Sequence, residues 1–173
     1  MPFAETLVRG GRISLGLADR LLADIKPETF ARKPRFGGTV VNTNHPAFVF
    51  GHLALYPARW LSDAGLDPKP AVTPVGFQVF AAGQECRDDE AGTIYPPMKE
   101  IVETFKRVHT AALDQLGTLS DDKLRAPNPR EGRIREMFPT LDGVLMFYVT
   151  SHMMMHLGQV SAWRRCFGLG SVM

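Results

Sequence analysis

Histidine side chains at a helical spacing are the residues of this chain whose types could support chemistry. His152 and His156 lie four residues apart within an apolar run from Leu141 to Trp163. On a helix this spacing places both imidazoles on one face, one turn apart, where they can bind a single transition-metal ion. His52, on another predicted helix, can supply a third imidazole. Three histidines without a fourth protein ligand would leave a coordination position for water or substrate, as in catalytic metal sites.

The spacing of the histidine pair is weak evidence by itself. With 5 histidines in 173 residues, a pair four apart arises by chance in roughly one chain in ten. Burial strengthens the interpretation, because two imidazoles in a nearly apolar helix need polar partners and a shared metal would satisfy both. Zinc peptidases place a Glu directly after the first His of such a pair, and Met153 occupies that position here. Peptidase chemistry is therefore not indicated.

The other two histidines are weaker candidates for the same ion. His45 shares a helix face with His52, but seven residues of helix separate the two by about 10 Å along the axis. They cannot both bind one ion, and His45 is expected to cap its helix or to face solvent. His109 falls on an apolar stripe, where a lone histidine is more often a hydrogen-bonded core residue than a ligand.

Three further polar residues lie within about one turn of the proposed ligands. Tyr148 and Gln159 flank the paired histidines, and Tyr56 lies one turn after the histidine of the other helix. Each could orient a ligand or a bound water molecule. Equally, Tyr56 and Tyr148 could pack with their hydroxyls at the surface, so both interpretations stay open. No His, Asp or Glu stands out as a general base, and no catalytic residue is assigned.

Four helical segments must position these residues. Apolar spacing predicts helices from about Phe3 to Ile25, from His45 to Ala64, from Met98 to Leu116 and from Thr140 to Phe167. Glycines in its early turns make the start of the first helix uncertain. Asn44 is expected to cap the second helix and Pro57 to bend it. The fourth is apolar nearly all round and should be buried on more than one side, in a bundle or at a homodimer contact, with Met153 to Met155 packed in the core.

Two long connections, Leu66 to Tyr95 and Ser120 to Pro139, are rich in Pro and Gly and should not form long helices. No repeat or polar linker divides the chain, which is expected to form one domain over residues 1–173. The pattern predicts an all-α four-helix bundle with long crossover connections. Such bundles commonly build metal sites from side chains on facing helices.

Composition restricts the class of protein. Hydrophobic residues make up 45% of the chain, enough for a core without disulfides. The net charge is +2 with interspersed charges, which argues against nucleic acid as the main partner, and the basic stretch Arg32 to Arg35 is expected to be a solvated loop. Cys86 and Cys166 are expected to be reduced thiols. Charges near the N-terminus and polar interruptions of the apolar run argue against a signal peptide or a membrane span, so a cytoplasmic protein is expected.

Two segments of the chain resemble the DinB-like family, also called YfiT-like metalloenzymes. The first is Gly51-His52-Leu53 at the end of the stretch that begins at Asn44, and the second is the His-x-x-x-His-x-Gly-Gln element from His152 to Gln159. The likeness covers nearly the whole chain, including Tyr95-Pro96-Pro97 before the third helix. The resemblance implies a four-helix bundle with a divalent metal, usually nickel or zinc, held by His52, His152 and His156.

The resemblance also implies a class of activity. Characterised members of the family include thiol-dependent S-transferases and isomerases that use bacillithiol, mycothiol or glutathione, and in them the metal is thought to activate the thiol as a thiolate. Homodimers are frequent in the family. A metal-dependent thiol S-transferase acting on a small molecule is therefore the first expectation. A metal-dependent hydrolase and a non-catalytic, dimeric, stress-related binding module are the alternatives, and neither long connection carries a substrate-specific motif.

Overall fold

In the computed structural model, which describes residues 2–172, the chain folds mainly into helices, as predicted for the all-α class. The helices are α1 (Phe3–Leu22), α2 (Pro27–Phe30), α3 (Pro46–Ala54), α4 (Pro57–Ala64), α5 (Met98–Leu116), α6 (Asp121–Leu124), α7 (Arg133–Met137), α8 (Leu141–Met146) and α9 (Met153–Cys166). Short 3-10 helices span Lys69–Ala71 and Val75–Phe80. Two-residue strands, β1 (Arg35–Phe36) and β2 (Thr39–Val40), pair antiparallel, with Arg35 opposite Val40 and Phe36 opposite Thr39.

The long helical segments contact one another in a closed order. Helix α1 packs against α5 and α9, and α3 packs against the same two helices. Each contributes fully buried apolar side chains to one continuous core, among them Leu7, Phe50, Phe105 and Leu157. This arrangement brings α3 and α9, which carry histidines, into direct contact.

Helix α1 is continuous through the glycines that made its start uncertain. A Cβ atom at Gly11 would lie 2.5 Å from Cδ2 of Leu113 on α5, so glycine there allows the two helices to approach closely. Packing at this contact offsets the roughly 1 kcal/mol that glycine costs inside a helix. The helix ends at Leu22, before the predicted Ile25, because Asp24 adopts a left-handed backbone with φ of 63°.

The second predicted helix is divided into α3 and α4 at Pro57. Proline has no N–H to donate, and its ring collides with the preceding turn, so it begins a new helix here. The prediction of Asn44 as the N-cap is wrong. His45 takes that position, and its Nδ1 accepts a hydrogen bond from the backbone N–H of Phe48 at 3.1 Å. The predicted end of this segment at Ala64 is confirmed, because Gly65 follows it with φ of 71° in the left-handed region.

The fourth predicted helix is a continuous helical run in which a π-helical turn, Phe147–His152, joins α8 to α9. Such wide turns are rare and occur frequently at functional sites. The prediction that Met153 to Met155 pack in the core is confirmed only for Met153. Met154 and Met155 are 41% and 56% exposed, because they lie on the outer face of α9.

The connections are more ordered than their composition predicts. The basic stretch is not a solvated loop, because Arg32 and Arg35 form ion pairs with Asp88 at 2.8 and 3.4 Å. Lys33 is buried, and its Nζ donates to the side chain of Asn42. Across residues 2–172, no helix has both the length and the apolar character needed to cross a membrane.

Candidate metal centre

Three histidines, one from α3 and two from the π-helical turn and α9, converge at one point. One ring nitrogen from each of His52, His152 and His156 lies within 4.8 Å of the other two. The ring centroid of His52 is 4.9 Å from that of His156 and 5.8 Å from that of His152, and the paired rings on the fourth segment are 4.6 Å apart. We call these residues the histidine cluster, and they could hold a divalent metal ion.

The orientation of His52 is set by a backbone carbonyl. Its Nδ1 lies 2.8 Å from the oxygen of Phe80, and since a carbonyl can only accept, Nδ1 carries the proton. The other ring nitrogen, Nε2, therefore carries the lone pair, the form in which an imidazole nitrogen binds a metal. Gly51 makes this contact possible, because a Cβ atom at that position would collide with the Phe80 ring.

The orientation of His156 is set by a side-chain amide. Nδ1 of His156 lies 3.1 Å from Oε1 of Gln159, and the same oxygen accepts from Nδ2 of Asn44 at 3.1 Å. Because that oxygen accepts both bonds, Nδ1 of His156 is the protonated nitrogen and Nε2 retains its lone pair. Asn44 therefore acts on the cluster across helices rather than as a helix cap.

The third ligand candidate, His152, contains an unsatisfied polar atom. Its Nδ1 is buried without a hydrogen-bond partner within residues 2–172. Leaving a buried polar atom unpaired costs about 1–3 kcal/mol. A metal ion bound at this nitrogen would remove the deficit, and an all-imidazole donor set suits zinc, nickel and copper. The residues present therefore fit a divalent metal.

Burial keeps the cluster in the protonation state that binds metal. It lowers the pKa of His52 and of His156 below the usual value of 6.5. The pKa of His152 falls to about 3, mainly through burial and further through the neighbouring His156 and His52. Neutral imidazole is the ligand form, so all three rings can coordinate at neutral pH without first losing a proton.

Two tyrosines contact the cluster. The Tyr56 hydroxyl lies 3.0 Å from Nε2 of His52 and donates to it, since that nitrogen carries the lone pair. The Tyr56 ring stacks on the Tyr148 ring at 5.2 Å, and the Tyr148 ring lies 5.2 Å from that of His152. Burial and the neighbouring Tyr148 raise the pKa of Tyr56, so its hydroxyl remains a donor. The Tyr56 hydroxyl therefore faces the cluster rather than the surface.

A cavity of about 510 Å³ opens beside the histidine cluster. Its lining includes His52, Tyr56, Tyr148 and the charged side chains Arg59, Arg130 and Glu131. Sequence reasoning missed these three charged residues. They lie on α4 and in the second long connection, and no local spacing relates them to the histidines.

Most of the chain matches the model of a known family. The family model of the DinB superfamily matches residues 14–160, a range that contains the whole histidine cluster. The chain belongs to the DinB superfamily. No significant match to a curated protein or to a solved structure is found. The resemblance inferred from the sequence of this DinB-superfamily protein is thus confirmed at the level of the family.

The remaining two histidines of the DinB-superfamily chain are bound by backbone groups. His45 is fully buried; its Nδ1 caps α3 and its Nε2 lies 2.9 Å from the carbonyl oxygen of Arg87. His109, predicted to be a core residue, is 1% exposed, and its Nδ1 lies 2.8 Å from the oxygen of Phe105 on the same helix. Neither belongs to the cluster. Of the two expectations for His45, capping of its helix is confirmed and exposure to solvent is wrong.

Proposed function

We propose that this DinB-superfamily protein is a metal-dependent enzyme whose divalent ion, nickel or zinc, is held by His52, His152 and His156. The observation that carries the proposal is the convergence of three neutral imidazoles beside a cavity. Three protein ligands leave a coordination position for an external group, as in catalytic sites. A divalent ion in this environment lowers the pKa of a thiol or water molecule that coordinates to it.

The preferred reaction is S-transfer from a low-molecular-weight thiol to a small electrophile, one of the activities that the family resemblance implies. In this reaction the thiol loses its proton to solvent and its sulfur forms a bond to the electrophilic carbon. The leaving group departs with the electron pair of the bond that breaks. The chain supports the step by holding the ligand rings through Phe80 and Gln159. The Tyr56 hydroxyl donates to Nε2 of His52 in this structure, and a metal ion bound at that nitrogen would release it as a donor for the reacting group.

Metal-dependent hydrolysis is the second candidate because Glu131 lines the same cavity. A carboxylate within reach of an activated water molecule can accept its proton, a role that a thiol transferase does not require. Substitution of Glu131 should therefore affect hydrolysis but not thiol transfer. A non-catalytic binding module, the remaining alternative, would bind metal without turnover.

The first experiment measures metal content. We expect protein purified without chelators to contain about one equivalent of zinc or nickel per chain, and the His52→Ala variant to contain almost none. The matched control is His45→Asn, because asparagine is also a good helix N-cap and leaves the cluster intact. Native protein that takes up no metal, even when incubated with zinc or nickel, would overturn the proposal.

The second experiment separates thiol chemistry from hydrolysis. Cobalt-loaded protein is titrated with glutathione, bacillithiol and mycothiol while the near-ultraviolet absorbance is recorded. A thiolate-to-cobalt charge-transfer band that appears only with a thiol supports S-transfer. No band with any thiol, together with ester hydrolysis that Glu131→Gln slows, would identify a hydrolase. Metal binding with neither result would leave the non-catalytic module.

A further inference from the structure

The guanidinium of Arg130 is fixed at the wall of the cavity. Its Nε and Nη2 lie 2.6 and 2.5 Å from Oδ2 of Asp63, and the two side chains are only 10% and 7% exposed. The carbon Cζ of Arg130 lies 4.7 Å from the centroid of the Tyr148 ring. A guanidinium that is paired on one edge and stacked on one face is preorganised, so little conformational entropy is lost when it binds a ligand.

A second guanidinium shares the same carboxylate. Nε of Arg59 lies 3.1 Å from Oδ1 of Asp63, while the Arg59 side chain is 62% exposed. Two cations on one carboxylate leave one positive charge in excess. The ion pairs use two N–H donors of Arg130 and one of Arg59, whereas each guanidinium carries five. Several donors of this pair therefore remain for a further acceptor.

This arginine pair lies beside the histidine cluster. Both guanidiniums line the cavity that also exposes His52, and the ring under Arg130 is the Tyr148 ring that contacts His152. A single aromatic ring thus separates the fixed guanidinium from a proposed metal ligand. A molecule in the cavity can contact the arginine pair and the cluster together.

Charge favours an anionic occupant. The two arginines are balanced by the carboxylates of Asp63 and of the exposed Glu131. A divalent ion on neutral ligands adds two positive charges, so the loaded cavity carries a net positive charge. Planar guanidiniums match the two oxygens of a carboxylate better than a single point charge does.

We infer that Arg59 and Arg130 form a subsite for a carboxylate, and that the protein acts on a small carboxylate-bearing molecule whose other end reaches the histidine cluster. This inference rests on the proposed function for the group at the cluster. The carboxylate belongs either to the thiol or to the electrophile. Both sources have the same chemistry at the arginine pair.

The test follows the side-chain Nε–H resonances of both arginines by NMR in ¹⁵N-labelled protein, with and without zinc. The probes are 3-mercaptopropionate and the neutral 3-mercapto-1-propanol. We expect saturable shifts with the acid only. In zinc-loaded protein, the acid should bind at least tenfold more tightly than the alcohol. Equal behaviour of acid and alcohol in both forms would overturn the subsite. Failure of zinc to bind would count against the proposed metal function, while the metal-free titration would still decide the subsite.

Variants distinguish the arginine pair from general surface charge. Arg59→Gln leaves the buried Arg130–Asp63 pair in place, and Arg130→Lys keeps its charge but removes the planar fork. Both should reduce the preference for the acid at least fivefold. Arg12→Gln is the control, because Arg12 is an equally exposed arginine paired with Asp114 outside the cavity. Preference for the acid that survives both cavity variants, or that is lost equally in the control, would overturn the inference.

The source of the carboxylate is decided by comparing 3-mercaptopropionate, which carries both groups, with propionate and 2-mercaptoethanol, which carry one each. If 3-mercaptopropionate binds zinc-loaded protein far more tightly than propionate, one molecule bridges the cluster and the arginine pair, and the thiol carries the carboxylate. If 3-mercaptopropionate instead binds no more tightly than propionate, while propionate and 2-mercaptoethanol bind together without competing, the electrophile carries the carboxylate. The subsite itself would be contradicted if neither 3-mercaptopropionate nor propionate shifted the Arg130 resonance in any form of the protein.

Discussion

The pair His45 and His109 differs from the histidine cluster in whether the rings converge on one point. Nδ1 of His45 accepts a hydrogen bond from the backbone N–H of Phe48 at the start of α3. Nδ1 of His109 contacts the carbonyl oxygen of Phe105, one turn earlier on α5. In the histidine cluster, by contrast, rings from two helices face one another, and Nε2 is the lone-pair nitrogen of both His52 and His156. His45 and His109 are more deeply buried, at 0% and 1% exposure, than His52 and His152 at 8% and 7%, so depth of burial does not mark a ligand. Convergence from separate helices does.

The two groups also show why apolar surroundings alone are weak evidence for a metal. His109 packs between the rings of Trp60 and Phe105, and its Nε2 has no partner within the described residues 2–172. An unpaired nitrogen is therefore present at a site without further ligand groups. Among residues 2–172, such a nitrogen is accompanied by two other imidazoles only in the cluster, where it is Nδ1 of His152.

The largest expected effect is the loss of metal from a variant of the cluster. In His156→Ala, zinc affinity should fall more than about 100-fold, beyond the loss typical of residues that only orient ligands. Zinc at 100 times its Kd should stabilise the native protein by about 2.7 kcal/mol and stabilise the variant far less. Thermal unfolding with and without zinc measures the difference.

The control for this prediction is His45→Asn, which belongs to the other group of histidines. It should unfold at a lower temperature than the native protein yet show the same rise on zinc addition, because the bond from Nε2 of His45 to Arg87 is lost while the cluster is untouched. Loss of the zinc response in both variants would remove the distinction between the groups.

The pH dependence of stability tests the two histidines outside the cluster. Burial lowers the pKa of His45 and that of His109 to about 4, against 6.5 for an exposed imidazole. The unfolded chain therefore binds protons that the folded chain does not, and stability is lost as the pH falls from 6.5 towards 4. Each histidine contributes at most roughly 3 kcal/mol to the free energy of unfolding over this window.

The variant His109→Leu tests that contribution in metal-free protein, measured by urea unfolding between pH 7 and pH 4. Its free energy of unfolding should decline less steeply with acid than that of the native protein, by close to one proton. Asp88 does not confound the result, because Arg32 and its other partners lower the pKa of Asp88 to about 2, so that its contribution is lost only below pH 4. An unchanged slope would show that His109 is not neutral in the fold.

The smallest expected effect concerns the residue that orients His156. Gln159→Leu removes the acceptor of the His156 Nδ1–H bond and the partner of Asn44. Zinc affinity should fall about 10- to 100-fold, as is typical when an outer partner of a ligand is removed. Calorimetric titration measures the change, with Gln115→Leu as the control, since Gln115 bonds to the backbone of Asp67 outside the cluster. Equal affinities for native and Gln159→Leu protein would make the Gln159 contact incidental to metal binding.

Local patterns in the sequence were sufficient for the helical architecture. The apolar stripe predicted α5 at its observed bounds, because an amphipathic helix is encoded by residues three and four apart. The same periodicity placed His152 and His156 on one helix face. His52 was selected as the third candidate because it lies inside another predicted helix, and the resemblance supported that choice.

What the sequence by itself determined about this protein is its helical class, its family and the three histidines that converge. Only the tertiary structure decided that Asn44 bonds to Gln159 instead of capping a helix, that the fourth helix contains a π-helical turn, and that Asp63 joins two arginines at the cavity. The physical reason is the range of the interactions. Helix periodicity is a property of neighbouring residues, whereas hydrogen bonds and ion pairs between distant segments exist only after the core has brought those segments together.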